Sequence, residues 1–383
     1  MVTTFEFATA TRVLFGQDRA AELAALAQPF GRRVLLVTGG KPGRVQKLIE
    51  SFREQQFTVT ILSVPGEPTI PLVETGAEQA RSAQVDCVVS IGGGSVIDGG
   101  KAIAALATNR RAVLDYLEVI GKAQPLTETP LPFIAVPTTA GTGAEVTRNA
   151  VLHSPEHGVK VSLRSPLMLP RLALVDPELT WELPPALTAS TGLDALTQLI
   201  EPFVSGRANA ITDAICRAGI PRIAASLRRA FENGADAEAR RDMSLGALFG
   251  GLALANAGLG AVHGLAAPLG GMFSAPHGAL CAALLPDVME ANIRTAQELN
   301  ATDTLRKYAE VSHLLSAGSD PRDGVNWVRA LCCALNIPRL AALGIQRSDF
   351  EQLAKRAAHS SSMKGNPVPL TQAQLVAILE RAS

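Results

Sequence analysis

Residues 243–286 read MSLGALFGGLALANAGLGAVHGLAAPLGGMFSAPHGALCAALLP, and this stretch decides the character of the C-terminal half of the chain. It contains no Asp, Glu, Lys or Arg, and apart from Cys281 its only ionisable side chains are His263 and His277. Such a stretch predicts a dry, tightly packed interior, where an unpaired imidazole costs about 1–3 kcal/mol. The two histidines are therefore expected to have partners, either the carbonyl groups of an ordinary core or a shared metal ion.

A membrane span is the other structure that a long uncharged run can indicate. In this run Gly and Ala outnumber Leu, Ile and Phe, and the polar or helix-breaking residues Asn256, Pro268, Ser274 and Pro276 interrupt it. This composition favours a buried core over a membrane span.

Size and composition set the broad class of the protein. A chain of 383 residues with 47% apolar residues predicts two domains with full cores. Lys and Arg number 35, as do Asp and Glu, so the charge balance gives no reason to expect nucleic acid or an anionic membrane as partner. The five cysteines are scattered and form no CxxC pair. The N-terminus lacks the pattern of a signal peptide. We therefore expect a soluble, cytoplasmic protein.

The first part of the chain alternates two kinds of pattern. Short β-branched runs predict strands at residues 34–38, 57–64, 85–91, 133–136 and 172–175, and helical patterns separate them at residues 44–55, 72–82 and 95–107. Strands that alternate with helices predict βαβ units and a mostly parallel sheet covered on both faces.

The pattern changes after residue 180. Leu193, Leu196, Leu199 and Ile200 share one helical face, and no convincing strand follows. We therefore predict an α/β domain over residues 1–180 and an all-helical domain over residues 181–383. The tail, residues 349–383, predicts two short helices joined by a loop at residues 360–367.

Two loops that follow predicted strands are candidates for nucleotide binding. The first is the glycine run Gly92, Gly93 and Gly94 with Ser95, which precedes a helix and so suits a pyrophosphate; a tight turn without a ligand is the alternative. It is not the GxGxxG fingerprint, and Asp98 and Lys101 on the next helix could simply pair with each other.

The second loop, residues 136–147, offers four hydroxyl groups and two glycines. Such a loop can bind a ribose or a phosphate, or can be an ordinary solvated turn. Lys160 stands in a polar stretch, where a surface charge is the usual interpretation.

A third group of residues indicates a metal site. Asp194 and Gln198 are four residues apart in an apolar helical pattern, so both project from one face. Pro268 and the glycines after it predict a turn between two helices that brings His263 and His277 together. One carboxylate, two imidazoles and an amide oxygen make a plausible divalent-metal site.

Ordered motifs run through nearly the whole chain: RVLFG at residues 12–16, GGGSVID at 92–98 with Lys101, PTTAGTGAE at 137–145, ASTGLDALT at 189–197, GAVHGLA at 260–266 and PHG at 276–278. Together they resemble the iron-containing alcohol dehydrogenase family, which is related to glycerol dehydrogenase and maleylacetate reductase. The resemblance implies a Rossmann-like dinucleotide-binding domain, an all-α metal-binding domain and a nicotinamide cofactor in the cleft between them.

The resemblance also implies roles for individual residues. Metal ligands would be Asp194, Gln198, His263 and His277. The pyrophosphate would lie on Gly92, Gly93, Gly94 and Ser95, and the rest of NAD or NADP would contact Asp98, Thr138, Thr139, Thr142 and Lys160. The family further implies a homodimer or a larger homo-oligomer.

Three positions depart from the family pattern. Gln198 stands where a histidine ligand is usual, so the metal, Fe²⁺ or Zn²⁺, would have three strong ligands and a weak fourth. Ala267 replaces a histidine that is a candidate proton relay in relatives. Gly39 replaces an Asp that binds the adenosine ribose in relatives, and Lys41 and Arg44 lie nearby in the sequence. We therefore expect that NADP(H) is tolerated and is a candidate for the preferred cofactor.

The predicted function is hydride transfer between NAD(P)(H) and a small alcohol, aldehyde or ketone, with a metal on the substrate oxygen and Asp194, His263 and His277 as the catalytic set. The alternative is a maleylacetate-reductase-like reduction of an oxo acid, which need not use a metal. The departures from the family pattern at Gln198 and Ala267 favour this alternative. A lyase resembling dehydroquinate synthase and a nucleotide-binding protein without turnover are further alternatives.

Overall fold

The computed structural model describes residues 4–273 and 275–383, so the predicted interruption at Ser274 and the first three residues of the chain lie outside the described residues. The chain divides into two compact units. An α/β unit holds residues 9–139 and 143–180, and a helical unit holds residues 4–8, 140–142 and the described residues from 181 onward. Residues 4–8 and 140–142, assigned to the first domain in the sequence-based prediction, thus pack with the helical unit.

The α/β unit is built on a parallel sheet. Its strands are β1 (Val13–Phe15), β2 (Arg33–Gly39), β3 (Thr58–Val64), β4 (Cys87–Gly92), β5 (Phe133–Pro137), β6 (Asn149–Ser154), β7 (Val159–Arg164) and β8 (Leu172–Val175). Its helices are α1 (Leu23–Ala27), α2 (Gln46–Glu54), α3 (Ile70–Ser82), α4 (Gly94–Thr108) and α5 (Val113–Tyr116). Six strands form the sheet in the order β1-β8-β5-β4-β2-β3, all parallel.

Both faces of this sheet are buried, which explains why its central strands are continuous apolar runs. In β2, Leu35 and Val37 pack with the core that contains α3 and α4, whereas Val34 and Leu36 pack with the core that contains α1 and α2. Together with the all-helical C-terminal part, this arrangement confirms the predicted fold class.

Two features of the α/β unit were not predicted. Strand β1 pairs with β8 through only three residues, and β6 and β7 form an antiparallel hairpin apart from the main sheet. The hairpin places Lys160 on β7, where its side chain is 11% exposed and its Nζ lies 3.0 Å from Oε1 of Glu67. Lys160 is therefore largely covered and paired rather than a free surface charge, although residues 155–158 before it are exposed.

Among the described residues of the helical unit there is no strand. Its helices are α6 (Pro185–Val204), α7 (Ala210–Glu232), α8 (Ala237–Ala257), α9 (Ala261–Met272), α10 (His277–Glu298), α11 (Thr302–Leu314), α12 (Pro321–Ala334), α13 (Phe350–Ala358) and α14 (Gln372–Ala382). The last two are the predicted tail helices. A single apolar core joins them, with Leu193, Leu196 and Leu199 of α6 fully buried in it.

The uncharged stretch supplies most of α8, all of α9 and the start of α10. Within the described residues, no single helix is long and apolar enough to cross a membrane; α8 and α9 meet that test of length and composition only as a pair, bent by 99°.

Candidate metal centre

Helix α6 presents three polar side chains to the interior of the helical unit. Asp194, Gln198 and Glu201 follow one another at spacings of four and three residues, so they lie on one face of the helix. All three are buried, with Asp194 only 1% exposed. A buried carboxylate must find positive charge or hydrogen-bond donors, and two carboxylates on one apolar face need a cationic environment.

Glu201 holds His263 in place. One of its carboxylate oxygens, Oε1, accepts a hydrogen bond from the backbone N–H of Val262 (2.7 Å), in the first turn of α9. The other oxygen, Oε2, lies 2.6 Å from Nδ1 of His263. A carboxylate accepts only, so Nδ1 carries the hydrogen and Nε2 of His263 keeps its lone pair whenever the ring is neutral.

His277 is the first residue of α10, and the turn before it brings it towards Asp194. Its Nε2 lies 3.8 Å from Oδ1 of Asp194, and its ring centroid is 5.4 Å from that of His263. Gly278 makes this approach possible, because a Cβ at that position would lie 2.5 Å from the carbonyl oxygen of Ser190 on α6. The predicted convergence of the two histidines is therefore present in the structure.

The position of the turn differs from the prediction. Helix α9 continues through Pro268 to Met272, so the chain turns after Met272 rather than at the proline and the glycines that follow it. A proline lacks one N–H but does not end a helix that is packed within a core, as α9 is.

Three polar atoms at the centre of this arrangement are buried without a hydrogen-bond partner: Oδ1 of Asp194, Oε1 of Gln198 and Nε2 of His263. Oδ1 and Nε2 lie 3.3 Å apart but are not aligned as a hydrogen bond. The second carboxylate oxygen, Oδ2, accepts a hydrogen bond of 3.0 Å from the Gln198 amide nitrogen. Buried lone pairs without a donor are what a divalent cation would satisfy, so the residues fit a metal ion.

The electrostatics of the cluster favour a cation. Burial alone would lower the pKa of His263, but the neighbouring Cys281 and Glu201 raise it well above its usual value. The neighbouring Cys281 also raises the pKa of His277 despite burial. Burial alone would raise the pKa of Asp194, but the two imidazoles lower it. The site therefore attracts positive charge, whether protons on the imidazoles or a metal ion that replaces them.

The structure adds one residue that the sequence-based ligand set left out. Cys281 lies one turn after His277 on α10, and its Sγ is 3.6 Å from Nε2 of His277. Asp194, His263, His277 and Cys281 each offer one ligand atom, and these four atoms lie within 4.8 Å of one another. Glu201 was also missed, although its spacing of seven residues from Asp194 in an apolar helix was a usable signal.

Of the predicted metal ligands, the structure thus brings Asp194, His263 and His277 together. Gln198 lies beside them, where its amide nitrogen donates to Asp194 and its oxygen has no partner. Ligation by Gln198 remains a prediction.

The predicted cofactor residues of the α/β unit gather largely at one edge of the sheet. Gly39 ends β2, Gly92 ends β4, and Thr138 and Thr139 follow β5, and these three strands are neighbours. The N–H of Thr138 donates to the carbonyl oxygen of Gly92 (2.9 Å). In open α/β sheets, the carboxyl edge of the strands is where ligands bind.

The glycine run has a structural reason as well as a functional one. A Cβ at Gly92 would lie 2.6 Å from Val96, so the tight entry into α4 requires glycine there. Helix α4 begins at Gly94, directly before Ser95, and no side chain caps its N-terminus. The tight turn is therefore present, and the uncapped N-terminus leaves donors that a phosphate could use. Phosphate binding by the glycine run remains a prediction.

The remaining predicted residues lie elsewhere. The Oδ2 atom of Asp98 accepts a hydrogen bond from the backbone of Val151 (3.0 Å), and Oδ1 lies 3.7 Å from Nζ of Lys101. The Lys101 ammonium, fully buried, donates to the carbonyl oxygens of Ala144 and Asn149, at 2.8 Å in each case. Thr142 belongs to the helical unit. Asp98, Thr142 and Lys160 therefore do not lie in one common cluster, and their roles in cofactor binding remain predictions.

Comparison with known proteins identifies the family. Residues 10–177 match the model of the family described as iron-containing alcohol dehydrogenase, and residues 188–383 match that of the Fe-containing alcohol dehydrogenase family, C-terminal. Alcohol dehydrogenase 4 of Saccharomyces cerevisiae is 39% identical over 360 residues, which cover 92% of this chain and 91% of the yeast protein.

Solved structures agree with the sequence comparison. A 1,3-propanediol oxidoreductase superposes with a TM-score of 0.92 at 33% identity, covering 99% of this chain and 100% of its own. A sulfoacetaldehyde reductase from Bifidobacterium kashiwanohense, solved in complex with NAD⁺, has a TM-score of 0.87 at 27% identity, with 99% and 98% covered. The family predicted from the motifs is thereby confirmed, and the chain belongs to the iron-containing alcohol dehydrogenase family.

Proposed function

We propose that this member of the family transfers a hydride between NAD(H) or NADP(H) and a small alcohol, or its aldehyde or ketone, at a centre where a divalent metal ion is held by Asp194, His263 and His277. The observation that carries the proposal is a pair of buried ligand atoms, Oδ1 of Asp194 and Nε2 of His263, which lie 3.3 Å apart and have no hydrogen-bond partner. Leaving such atoms unsatisfied costs about 1–3 kcal/mol each, so their retention calls for a ligand.

When bound, the metal supplies a Lewis acid for the substrate oxygen, and the nicotinamide supplies or accepts the hydride. The chain's own residues prepare this centre. Glu201 fixes the His263 ring so that Nε2 faces the cluster, and the Gln198 amide fixes the Asp194 carboxylate. Because Fe²⁺ and Zn²⁺ both accept imidazole and carboxylate ligands, these three residues suit either ion.

The α/β unit supports the cofactor half of the proposal. The uncapped N-terminus of α4 follows the glycine run at the carboxyl edge of the sheet, as expected of a pyrophosphate site. A relative that resembles this chain over nearly its whole length was solved with NAD⁺. At the end of β2, Gly39 has space beside it, the nearest atom to a Cβ being 4.0 Å away on Val96, so we expect NADP(H) to be tolerated. The Arg44 side chain, part of the same prediction, lies outside the described side chains.

Two alternatives are less well supported. A reductase of oxo acids that works without metal would have no use for buried, unpaired acceptor atoms at the centre of the helical unit. A nucleotide-binding protein without turnover would not need the buried hydrogen bond that orients His263. From the sequence and the family resemblance we further propose that the protein acts on small molecules only and is cytoplasmic. We also propose that it forms a homodimer or a larger homo-oligomer.

One experiment tests the proposal as a whole. Protein purified without added metal is analysed for its elemental content. It is then assayed with a panel of alcohols, using NAD⁺ and NADP⁺, and with a panel of aldehydes, using NADH and NADPH. We expect bound Fe²⁺ or Zn²⁺ and turnover of a small alcohol or aldehyde. Nucleotide binding without turnover of any substrate on the panel would contradict it, as would oxidation of the reduced cofactor driven only by an acidic oxo acid in metal-free protein.

A further inference from the structure

Cys281 lies in the same buried cluster as the three proposed ligands. It lies one helical turn after His277 on α10 and is fully buried. Asp194 is only 1% exposed. Its Sγ is one of the four ligand atoms that lie within 4.8 Å of one another, and two of the other three, on Asp194 and His263, are buried and have no hydrogen-bond partner. The thiol is thus grouped with atoms that themselves require a ligand.

Two of the separations match the distances between ligands that share one metal ion. Bonds of about 2.3 Å to sulfur and about 2.0–2.1 Å to nitrogen or oxygen, at tetrahedral angles, place N and S about 3.5 Å apart and N and O about 3.3 Å apart. The observed distances are 3.6 Å from Cys281 Sγ to His277 Nε2 and 3.3 Å from His263 Nε2 to Asp194 Oδ1. The edge from His277 Nε2 to Asp194 Oδ1 is longer, at 3.8 Å. Two of these edges have the length that a shared metal ion requires, the third is longer, and all four ligand atoms lie within 4.8 Å of one another.

Gln198 has a different place in this cluster. Its amide nitrogen donates to Oδ2 of Asp194 at 3.0 Å, so the side chain is oriented by the carboxylate. A neutral amide oxygen is a weaker metal ligand than a thiolate for zinc and similar ions. The arrangement makes Gln198 a positioning residue for Asp194 and sulfur the fourth protein ligand, so that the substrate oxygen would be a fifth ligand.

We propose that Cys281 is a metal ligand, which binds as a thiolate together with Asp194, His263 and His277. This inference rests on the proposed function, since it requires that the centre bind a metal. As the sulfur–metal bond forms, the thiol proton passes to solvent, and no oxidant or reductant is involved. A thiolate is a soft ligand, so the set favours Zn²⁺, or Co²⁺ as its spectroscopic substitute, over ions that prefer oxygen ligands.

The test uses Co²⁺ as the probe on metal-depleted full-length protein. Binding is measured by equilibrium dialysis, and the near-ultraviolet spectrum is recorded for sulfur-to-cobalt charge-transfer absorption, which oxygen and nitrogen ligands do not produce. We expect the wild-type protein to bind Co²⁺ with this absorption. Cys281→Ser and Cys281→Ala should lose the absorption and bind Co²⁺ at least about tenfold more weakly, the lower bound for the loss of a residue that only orients a ligand.

Cys216→Ala is the matched control, because Cys216 is equally buried in the same unit but lies on α7. It should keep both the absorption and the affinity. Circular dichroism shows whether each variant is folded, and Cys281→Ser keeps the side-chain volume where alanine leaves a cavity.

The outcomes separate the two proposals. Wild-type protein that binds Co²⁺ without charge-transfer absorption, or absorption that persists in folded Cys281→Ser, would overturn ligation by Cys281 and leave the metal centre intact. Wild-type protein that binds no Co²⁺, Zn²⁺ or Fe²⁺ would overturn the proposed metal centre, and this inference with it.

Discussion

The carboxylate of Glu201 and the imidazole of His263 form a buried hydrogen bond of 2.6 Å between helices α6 and α9. The same carboxylate also accepts the N–H of Val262 at the start of α9, so one side chain fixes both the helix and the ring that it carries. Partners of this kind, beyond the ligands themselves, orient an imidazole and raise its basicity as a metal ligand.

The first prediction concerns this hydrogen bond. Glu201→Gln should weaken metal binding about 10–100-fold, because an amide cannot match the carboxylate as acceptor for Nδ1 of His263. A chelator competition measures the affinity. Glu310→Gln is the control, since Glu310 pairs with Arg217 at the surface of the same unit. Equal metal affinity in Glu201→Gln and the wild type would show that Glu201 only stabilises the start of α9 and does not affect metal binding through His263.

The second prediction concerns the close approach of α10 to α6. In Gly278→Ala the added methyl group would meet the carbonyl oxygen of Ser190 at 2.5 Å, so the start of α10 must move and carry His277 with it. We expect a loss of about 1–3 kcal/mol in stability together with weaker metal binding. Thermal unfolding and metal titration measure the two effects. Gly206→Ala, which adds its methyl group to open space, should change neither.

The third prediction concerns pH and a buried carboxyl group of the α/β unit. Burial raises the pKa of Glu145 to about 7 from the 4.5 of an exposed glutamate. Between these values the native state holds a proton that the unfolded chain releases, so this group makes the native state less stable as the pH rises. Above about pH 7 the cost is fully present, on the order of 3 kcal/mol.

Glu145→Gln should therefore raise the melting temperature at pH 8 and leave it nearly unchanged at pH 5. The control is Glu54→Gln, an exposed glutamate on α2 of the same unit, which should show no such difference. A melting temperature that is equally shifted at both pH values would mean that the charge of Glu145 is compensated throughout, with Lys101 as the nearby cation.

The fourth prediction concerns the choice of cofactor. Gly39→Asp places a carboxylate at the end of β2, where it would repel a 2′-phosphate and accept hydrogen bonds from a ribose. We expect the ratio of kcat/KM for NADPH to that for NADH to fall about tenfold or more, equivalent to about 1.4 kcal/mol. Gly39→Ala adds the Cβ without the charge and should leave the ratio unchanged. A ratio that responds equally to both substitutions would remove the electrostatic explanation.

The sequence predicted most of the fold because the strongest patterns in it are local. Strands β2, β4 and β5 are apolar runs buried on both faces, and the residues at their ends follow directly from that pattern. The hairpin of β6 and β7 was missed although the sequence of β7, VKVSLR, alternates apolar and polar residues and so carried a usable strand signal. The sequence of β6, NAVLHS, alternates only in part.

The site was predictable where it depends on helical spacing and not where it depends on packing. A spacing of four residues from Asp194 to Gln198 places both on one face, and the isolation of His263 and His277 in an uncharged stretch indicated a site there. Cys281 was visible in the same stretch, but its nearness to His277 depends on where α10 begins. The hydrogen bond of Glu201 depends on how α9 meets α6, which no local pattern in the sequence describes.

The most direct measurement for the central claim is the metal content of the protein set beside its turnover, before and after chelation, for the wild type, His263→Ala and His277→Ala. We predict about one divalent ion per wild-type chain, loss of turnover on chelation and recovery when Zn²⁺ or Fe²⁺ is returned. Each histidine variant should lose metal and turnover together. Full turnover by wild-type protein that elemental analysis shows to be free of metal would contradict the account.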